Sequence, residues 1–232
     1  MDVILIPGFW LDASSWGDIP NVIEKAGHRA RALTLPGLES RAADRNGIGL
    51  RDHVDVVVAE VDQAEGPVVL VGHSGGGAIA HAAADARPDR VARVVYVDCV
   101  PVGDGQCVND NLPAENGEIR LPDWSDFDDE DLVDLDDGLR DRFRAIAVPQ
   151  PAGVARDKQV LSDERRYDIP ATVIACEYPS AMIRDLIDQG HGYTEELAKL
   201  RDVVYVDLPT GHWPQLTKPA ELADAILAAV GS

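Results

Sequence analysis

Ser74 stands in "GPVVLVGHSGGGAIAHAAADARP", residues 66–88, at the apex of a Gly-rich turn between an apolar, β-branched run and a stretch of small apolar residues. Residues 72–76, "GHSGG", match G-x-S-x-G with a strand expected before and a helix after. Strained backbone in such a turn exposes the serine, and glycines let neighbouring backbone approach without a Cβ clash. The following helix would aim its N-terminal dipole and the Gly75 N–H at the point where an attacked carbonyl oxygen gathers negative charge. A phosphate-binding turn would instead want G-x-G-x-x-G, but the middle glycine is replaced by Ser74 and no P-loop lysine follows.

A neutral serine needs a base. Of the six histidines, His212 has the best address, after the last apolar run in "VVYVDLPTGHWPQLT". His28, His53, His81 and His191 fall at strand starts, in helices or on a connection, where packing and surface roles prevail, and the side chain of His73 is expected to point away from that of its neighbour Ser74. The imidazole in turn needs an acid to orient it. Asp98, at the end of "VVYVD", is the preferred candidate; Glu177, at the end of "TVIACE", is the alternative, and Asp185 is less well placed. A second oxyanion donor is expected from the Phe9 N–H in "IPGFWLDASSW", after Gly8 at the turn. Trp10, Leu11, His73, Trp124 and Trp213 are the expected pocket residues.

These groups must be placed by regular elements. Apolar β-branched runs at 3–6, 30–35, 68–71, 91–97, 171–176 and 203–208 read as strands buried on both faces. Helical patterns at 14–26, 50–64, 76–87, 181–189, 194–200 and 217–230 alternate with them, with Gly27 as a C-cap signal, Pro88 as a stop, and Thr217 before Pro219 as a start. The alternation predicts an α/β fold: a doubly wound, mostly parallel sheet of about six strands flanked by helices. In such sheets sites gather beyond the carboxyl ends of the strands, where Phe9, Ser74, Asp98, Glu177 and His212 all fall. About 70 residues separate the fourth and fifth runs, far more than a crossover needs, so a small cap insertion at about 101–168 is expected within a single domain, 1–232.

Composition narrows the function classes. A formal charge of -20, from 41 acidic and 21 basic side chains, opposes nucleic acid and anionic membrane surfaces. No apolar run reaches the roughly 20 residues of a membrane span, and "MDVILIPGFW" lacks the pattern of a signal peptide, so a cytoplasmic location is expected. Three cysteines without C-x-x-C spacing read as free thiols, and no metal or cofactor is called for. The acidic stretch 122–143 lacks the ligand spacing of a calcium loop. Leu132, Leu135, Leu139 and Phe143 instead predict one amphipathic helix with a solvated acidic face.

The quoted motifs together, "LIPGFW", "GHSGG", "VVYVDCVP" and "PTGHWP", resemble the α/β-hydrolases over nearly the whole chain. The closer similarity is to the compact esterase-like branch of plant methyl esterases and hydroxynitrile lyases and their bacterial relatives, which implies a short cap and a cofactor-free site. Two departures stand out: Pro7-Gly8 replaces the branch's usual His-Gly, and the loop "EYPSAM" lacks its usual Asp. Haloalkane dehalogenases, which share the fold, place an acid at the position of Asp98, but their nucleophile is Asp, so Ser74 argues against dehalogenation. The motifs and the resemblance together imply a serine hydrolase that cleaves a carboxylic ester through an acyl-enzyme; Leu121, Trp124 and Phe127 of the cap, beside Trp10 and Trp213, suggest a small apolar or aromatic substrate, and a monomer or homodimer is expected. Amide, carbamate or lactone hydrolysis, a lyase needing a cap lysine such as Lys158, and a non-catalytic receptor are the alternatives.

Overall fold

The computed structural model describes residues 1–231. Six strands, β1 (Asp2–Ile6), β2 (Arg29–Ala32), β3 (Val68–His73), β4 (Val91–Val97), β7 (Ala171–Ala175) and β8 (Val203–Asp207), form one sheet in the order β2-β1-β3-β4-β7-β8, parallel at every pairing. The inner strands β3 and β7 are buried at every residue, as their unbroken apolar runs require. The edge strand β2 alternates between exposed and half-buried residues and ends at Ala32, three residues before the end of its apolar run; Leu33 and Leu35 are buried beyond it.

Two cores sandwich the sheet. On one face, Ile19 and Ile23 of α1 (Ile19–Lys25) and Leu222 and Ile226 of α8 (Pro219–Val230) pack on Leu5, Val71 and Val95. On the other, Val54 and Val57 of α2 (Leu50–Gln63) and Ile79 and Ala83 of α3 (Gly75–Ala86) pack on Ile4, Leu70 and Val94, joined by Ile183 of α6 (Ser180–Asp188). Alanines along α3 let that helix sit close against the sheet under the nucleophile turn.

The β4–β7 connection, residues 98–170, carries a short antiparallel pair, β5 (Glu118–Ile119) with β6 (Gln150–Pro151), and the helices α4 (Asp137–Ile146) and α5 (Ala152–Arg156). It is stitched to the first loop: Trp10 Nε1 donates to the Ile119 carbonyl (3.1 Å) and the Val148 N–H to the Trp10 carbonyl (2.9 Å).

Local expectations are corrected at four places. The single acidic helix over 122–143 is absent; α4 begins at Asp137, where Asp136 caps it by accepting from the Leu139 N–H (2.8 Å), and Leu132 and Leu135 lie on turns before it. The helix over 14–26 is split at Gly17 (φ 54°) into a 3₁₀ turn, Ala13–Trp16, and α1. The segment 194–200 forms 3₁₀ turns rather than a helix. The last helical stretch is divided into α7 (Pro214–Thr217) and α8, with Lys218 rather than Thr217 at the N-cap of α8; the Thr217 hydroxyl pairs instead with that of Thr210 (2.8 Å). The three cysteines are free.

Candidate active site

The β3–α3 turn holds Ser74 at φ 51°, ψ −125°, a conformation that L side chains avoid. Close packing makes that turn possible. A Cβ at residue 72 would lie 2.5 Å from the Gly76 carbonyl oxygen, and one at residue 76 would lie 2.5 Å from that of Ile6. The G-x-S-x-G glycines are therefore dictated by backbone contact. The helix α3 starts at Gly75, so the Gly75 N–H is among those left without an intrahelical acceptor and lies directly beside the serine. Phe9 follows Gly8, which approaches so closely that a Cβ there would meet the Ser74 Cβ at 3.0 Å; the Phe9 ring covers Gly75.

Asp98 closes β4, also with positive φ (48°), and Trp10 (φ 65°) follows the first oxyanion candidate. Of the five non-glycine residues with positive φ among the described residues, Ser74 and Asp98 directly follow β3 and β4 and Trp10 lies in the loop after β1; the others, Asn116 and Asp134, are in the long connection. Concentrated strain of this kind persists only where surrounding contacts over-determine it. At Asp98 those contacts are explicit: Oδ1 accepts the N–H groups of Cys176 and Glu177, both at 2.9 Å, which turns Oδ2 toward His212.

His212 completes the line. Its Nε2 lies 2.8 Å from Ser74 Oγ and its Nδ1 2.7 Å from Asp98 Oδ2. With Nδ1–H donating to Asp98, Nε2 faces the hydroxyl as an acceptor. Glu177 is also at hand, its Oε2 3.5 Å from the same Nδ1. The structure therefore brings both acid candidates to the imidazole, with Asp98 at bonding distance and Glu177 beyond it. Burial pulls the imidazole toward its neutral form, but the bond to Asp98 and the negative charges of Asp98 and Glu177 outweigh it and raise His212 to about 10. Burial alone would raise Asp98, yet the bond to His212 and the two backbone donors hold it below the usual carboxylate range. Asp131 lies close by, pushed up to about 6 by burial and by the charge of Glu177.

Two positioning contacts carried no sequence signal of their own. His73 is buried and, as expected, turned from Ser74: its Nε2 lies 2.6 Å from the His212 carbonyl oxygen while its Nδ1 faces the Gln215 amide (3.3 Å). Burial and the neighbouring His212 charge lower it to about 3, so it stays neutral and Nε2–H donates to that carbonyl. From the long connection, the carbonyls of Asp131 and Val133 accept the N–H groups of His212 (2.9 Å) and Gly211 (3.0 Å). The loop of His212 is thus held from below by His73 and from above by the 131–133 segment.

The expected pocket residues lie elsewhere than on an open wall. Trp10, Leu11, His73 and Trp213 are buried, and Trp124 and Phe127 close over Trp213 with ring centroids at 6.1 and 5.4 Å. A cavity of about 460 Å³ opens on the other flank of His212, and none of the five lines it. Lys158 points to Cys107 Sγ (3.6 Å) at the surface, away from the serine. Asp98, Glu177 and His212 do present ligand atoms within 4.8 Å of one another, but the imidazole Nδ1 and both Asp98 oxygens are engaged in the bonds just described.

Residues 3–225 match the model of the alpha/beta hydrolase family. The chain is similar to Lipase LipV of Mycobacterium tuberculosis, 32% identical over 205 residues covering 77% of this chain and 75% of the lipase. It is similar also to the pyrethroid hydrolase of Sphingobium wenxiniae, 30% identical over 97% of this chain and 86% of that one. Among solved structures, an extracellular alpha/beta-hydrolase from a Paenibacillus species superposes with a TM-score of 0.78, at 24% identity, covering 99% of this chain and 98% of that one. Sheet order, nucleophile turn and sequence likeness thus converge: the chain belongs to the alpha/beta hydrolase family.

Proposed function

We propose that the protein is a serine hydrolase that cleaves carboxylic esters of small molecules through an acyl-enzyme. The observation that carries this reading is the unbroken line Ser74 Oγ, His212 Nε2 (2.8 Å), His212 Nδ1, Asp98 Oδ2 (2.7 Å). His212 takes the proton of Ser74 as Oγ attacks the ester carbonyl, and the negative charge on the carbonyl oxygen settles between the N–H groups of Phe9 and Gly75. Collapse of the tetrahedral adduct expels the alcohol, which leaves with the proton carried by His212. Water activated by the same imidazole then attacks the acyl-serine and releases the carboxylic acid. Asp98 keeps the Nδ1–H tautomer and stabilises the imidazolium. No cofactor enters this sequence. The names of its relatives, a lipase and a pyrethroid hydrolase, lend the ester its support.

Within this reading 1–232 is one domain and 101–168 is a cap. Trp124, Phe127 and Phe143 of that segment pack on Trp213, and the Asp131 carbonyl holds the His212 N–H. A fluorophosphonate probe tests the reading: the folded wild-type protein is expected to be labelled on Ser74 and to hydrolyse p-nitrophenyl acetate, and Ser74→Ala to do neither. Labelling that survives in Ser74→Ala would overturn it.

A further inference from the structure

Residues 128–135 of the long connection form turns that are anchored by leucines and aim their backbone at the base. Leu132 and Leu135 pack into the cluster that includes Trp213. The Asp131 carbonyl accepts the His212 N–H (2.9 Å), and the Val133 carbonyl accepts the Gly211 N–H (3.0 Å). The approach is so close that a Cβ at residue 211 would collide with the Asp131 carbonyl oxygen and lie 2.7 Å from that of Val133. Glycine at 211 is therefore required by this segment, as glycine at 72 is by the start of α3. The Asp131 side chain has two engagements of its own. Its Oδ2 accepts the Asp128 N–H (3.0 Å), which closes the turn that presents the carbonyl. Its carboxyl also faces that of Glu177, whose Oε2 lies 3.5 Å from His212 Nδ1.

We infer that Asp131 is a positioning residue for the base: its turn holds the main chain of His212, and its carboxyl adds to the negative charge beside Nδ1. The inference rests on the hydrolase reading above and adds the residue that ties the long connection to the imidazole. A base that carries a proton from Ser74 to a departing alcohol must keep Nε2 within hydrogen-bond reach of both, and a shift of its main chain moves that atom. Asp98 fixes the ring at Nδ1. The main chain is fixed at both of its polar groups, the carbonyl by His73 of β3 and the N–H by Asp131 of the connection. The titratable and charged groups on the elements packed here are Glu177 and Tyr178 after β7, Asp98 after β4, His212 itself, Asp128 of the same turn, and Lys218, which pairs with Asp134 (3.7 Å). An ionised Asp131 adds negative charge near His212, where Asp98 and Glu177 already stand, and so favours the imidazolium. Burial and Glu177 push Asp131 up to about 6, still below the range in which His212 titrates, so Asp131 is charged when the base is set free.

The test is p-nitrophenyl acetate kinetics across pH, together with the low-field proton NMR resonance of the His212–Asp98 hydrogen bond. Asp131→Ala removes both side-chain engagements and loosens the turn; kcat is expected to fall about tenfold or more while KM changes less than about threefold. Asp131→Asn keeps an acceptor for the Asp128 N–H and offers Glu177 an amide donor, and is expected to restore kcat to within about threefold of wild type. Both variants remove the charge, so both are expected to move the kcat/KM limb to lower pH by about half a unit or more, which a role in folding alone would not do. Gly211→Ala pushes the segment away with Asp131 intact. It is expected to lower kcat as Asp131→Ala does and to broaden the low-field resonance, and it carries the test if circular dichroism finds Asp131→Ala unfolded. Values of kcat within about threefold of wild type in folded Asp131→Ala and Gly211→Ala, equal losses in Asp131→Asn and Asp131→Ala, or a limb unmoved in both Asp131 variants would overturn the positioning role. Fluorophosphonate labelling of wild-type Ser74 would then leave the hydrolase reading intact. Absence of labelling would overturn both.

Discussion

Ser74, Asp98 and Trp10 share a positive φ, and at Ser74 the strain coincides with the reacting oxygen. Backbone in such a region costs about 1–3 kcal/mol per residue. Ser74→Gly is therefore expected to raise stability by roughly 1 kcal/mol or more while abolishing hydrolysis, a trade between stability and activity that urea titration would read directly. The acids make the second prediction at this scale. Asp98→Asn removes the 2.7 Å partner of Nδ1 and is expected to lower kcat by about 10²–10⁴-fold, whereas Glu177→Gln, at 3.5 Å, is expected to cost less than about tenfold. Catalysis needs the free imidazole, and His212 is raised to about 10, so kcat/KM should climb with pH on a limb well above the ordinary 6.5 and fall as pH drops through it. Glu177→Gln withdraws one of the carboxylates that hold the proton and should move that limb to lower pH. The same raised value gives the reverse dependence for stability: the His212 contribution is full below 6.5 and is lost as pH rises through about 10. Ser74, His212 and both acids were legible from their addresses at strand ends. The sequence preferred Asp98 to Glu177 without a contact to decide it; the contact is made by the Cys176 and Glu177 N–H groups, 78 and 79 residues beyond Asp98, which fix its rotamer toward His212.

At the scale of elements, the six strands follow from apolar β-branched runs and the helices that pack on them from their periodicity, whereas the order β2-β1-β3-β4-β7-β8 is set by crossovers that the runs do not encode. The long connection was legible only as an interruption. Its helix α4 begins at Asp137 because Asp136 caps it, while the leucines before it, at helical spacing, serve turns that lean on the same core. Hydrophobic spacing alone does not separate these outcomes, because both bury one side of the chain. What ties the connection down is Trp213, one residue past the base, with the Phe143 centroid at 4.9 Å and that of Phe127 at 5.4 Å. Trp213→Ala is expected to destabilise the protein by about 3–5 kcal/mol. It should also raise proteolytic cleavage within 101–168 before that of the sheet. Equal protease resistance in wild type and variant would separate this aromatic cluster from the anchoring of that segment.

For the whole molecule, the net charge of -20 is a field rather than a contact. Self-repulsion of that size weakens the compact state and is screened over about 10 Å at 0.1 M salt. Raising sodium chloride from 10 to 200 mM should therefore lift Tm by roughly 2–4 °C, the shift that about 1 kcal/mol gives in a domain of this length. The acidic surface also favours neutral or cationic substrates over anionic ones at encounter. Among the described residues no helix is long and apolar enough to cross a membrane. Fold, charge and site meet in one claim, that Ser74 becomes acylated and His212 then clears it. The most direct measurement is a pre-steady-state burst with p-nitrophenyl acetate, followed by mass spectrometry of the acid-quenched protein. The account predicts a burst approaching one p-nitrophenol per chain and a single acetyl group on the peptide containing Ser74, both lost in Ser74→Ala. Steady turnover by wild type with the acetyl group on another residue, or a burst that persists in Ser74→Ala, would contradict it.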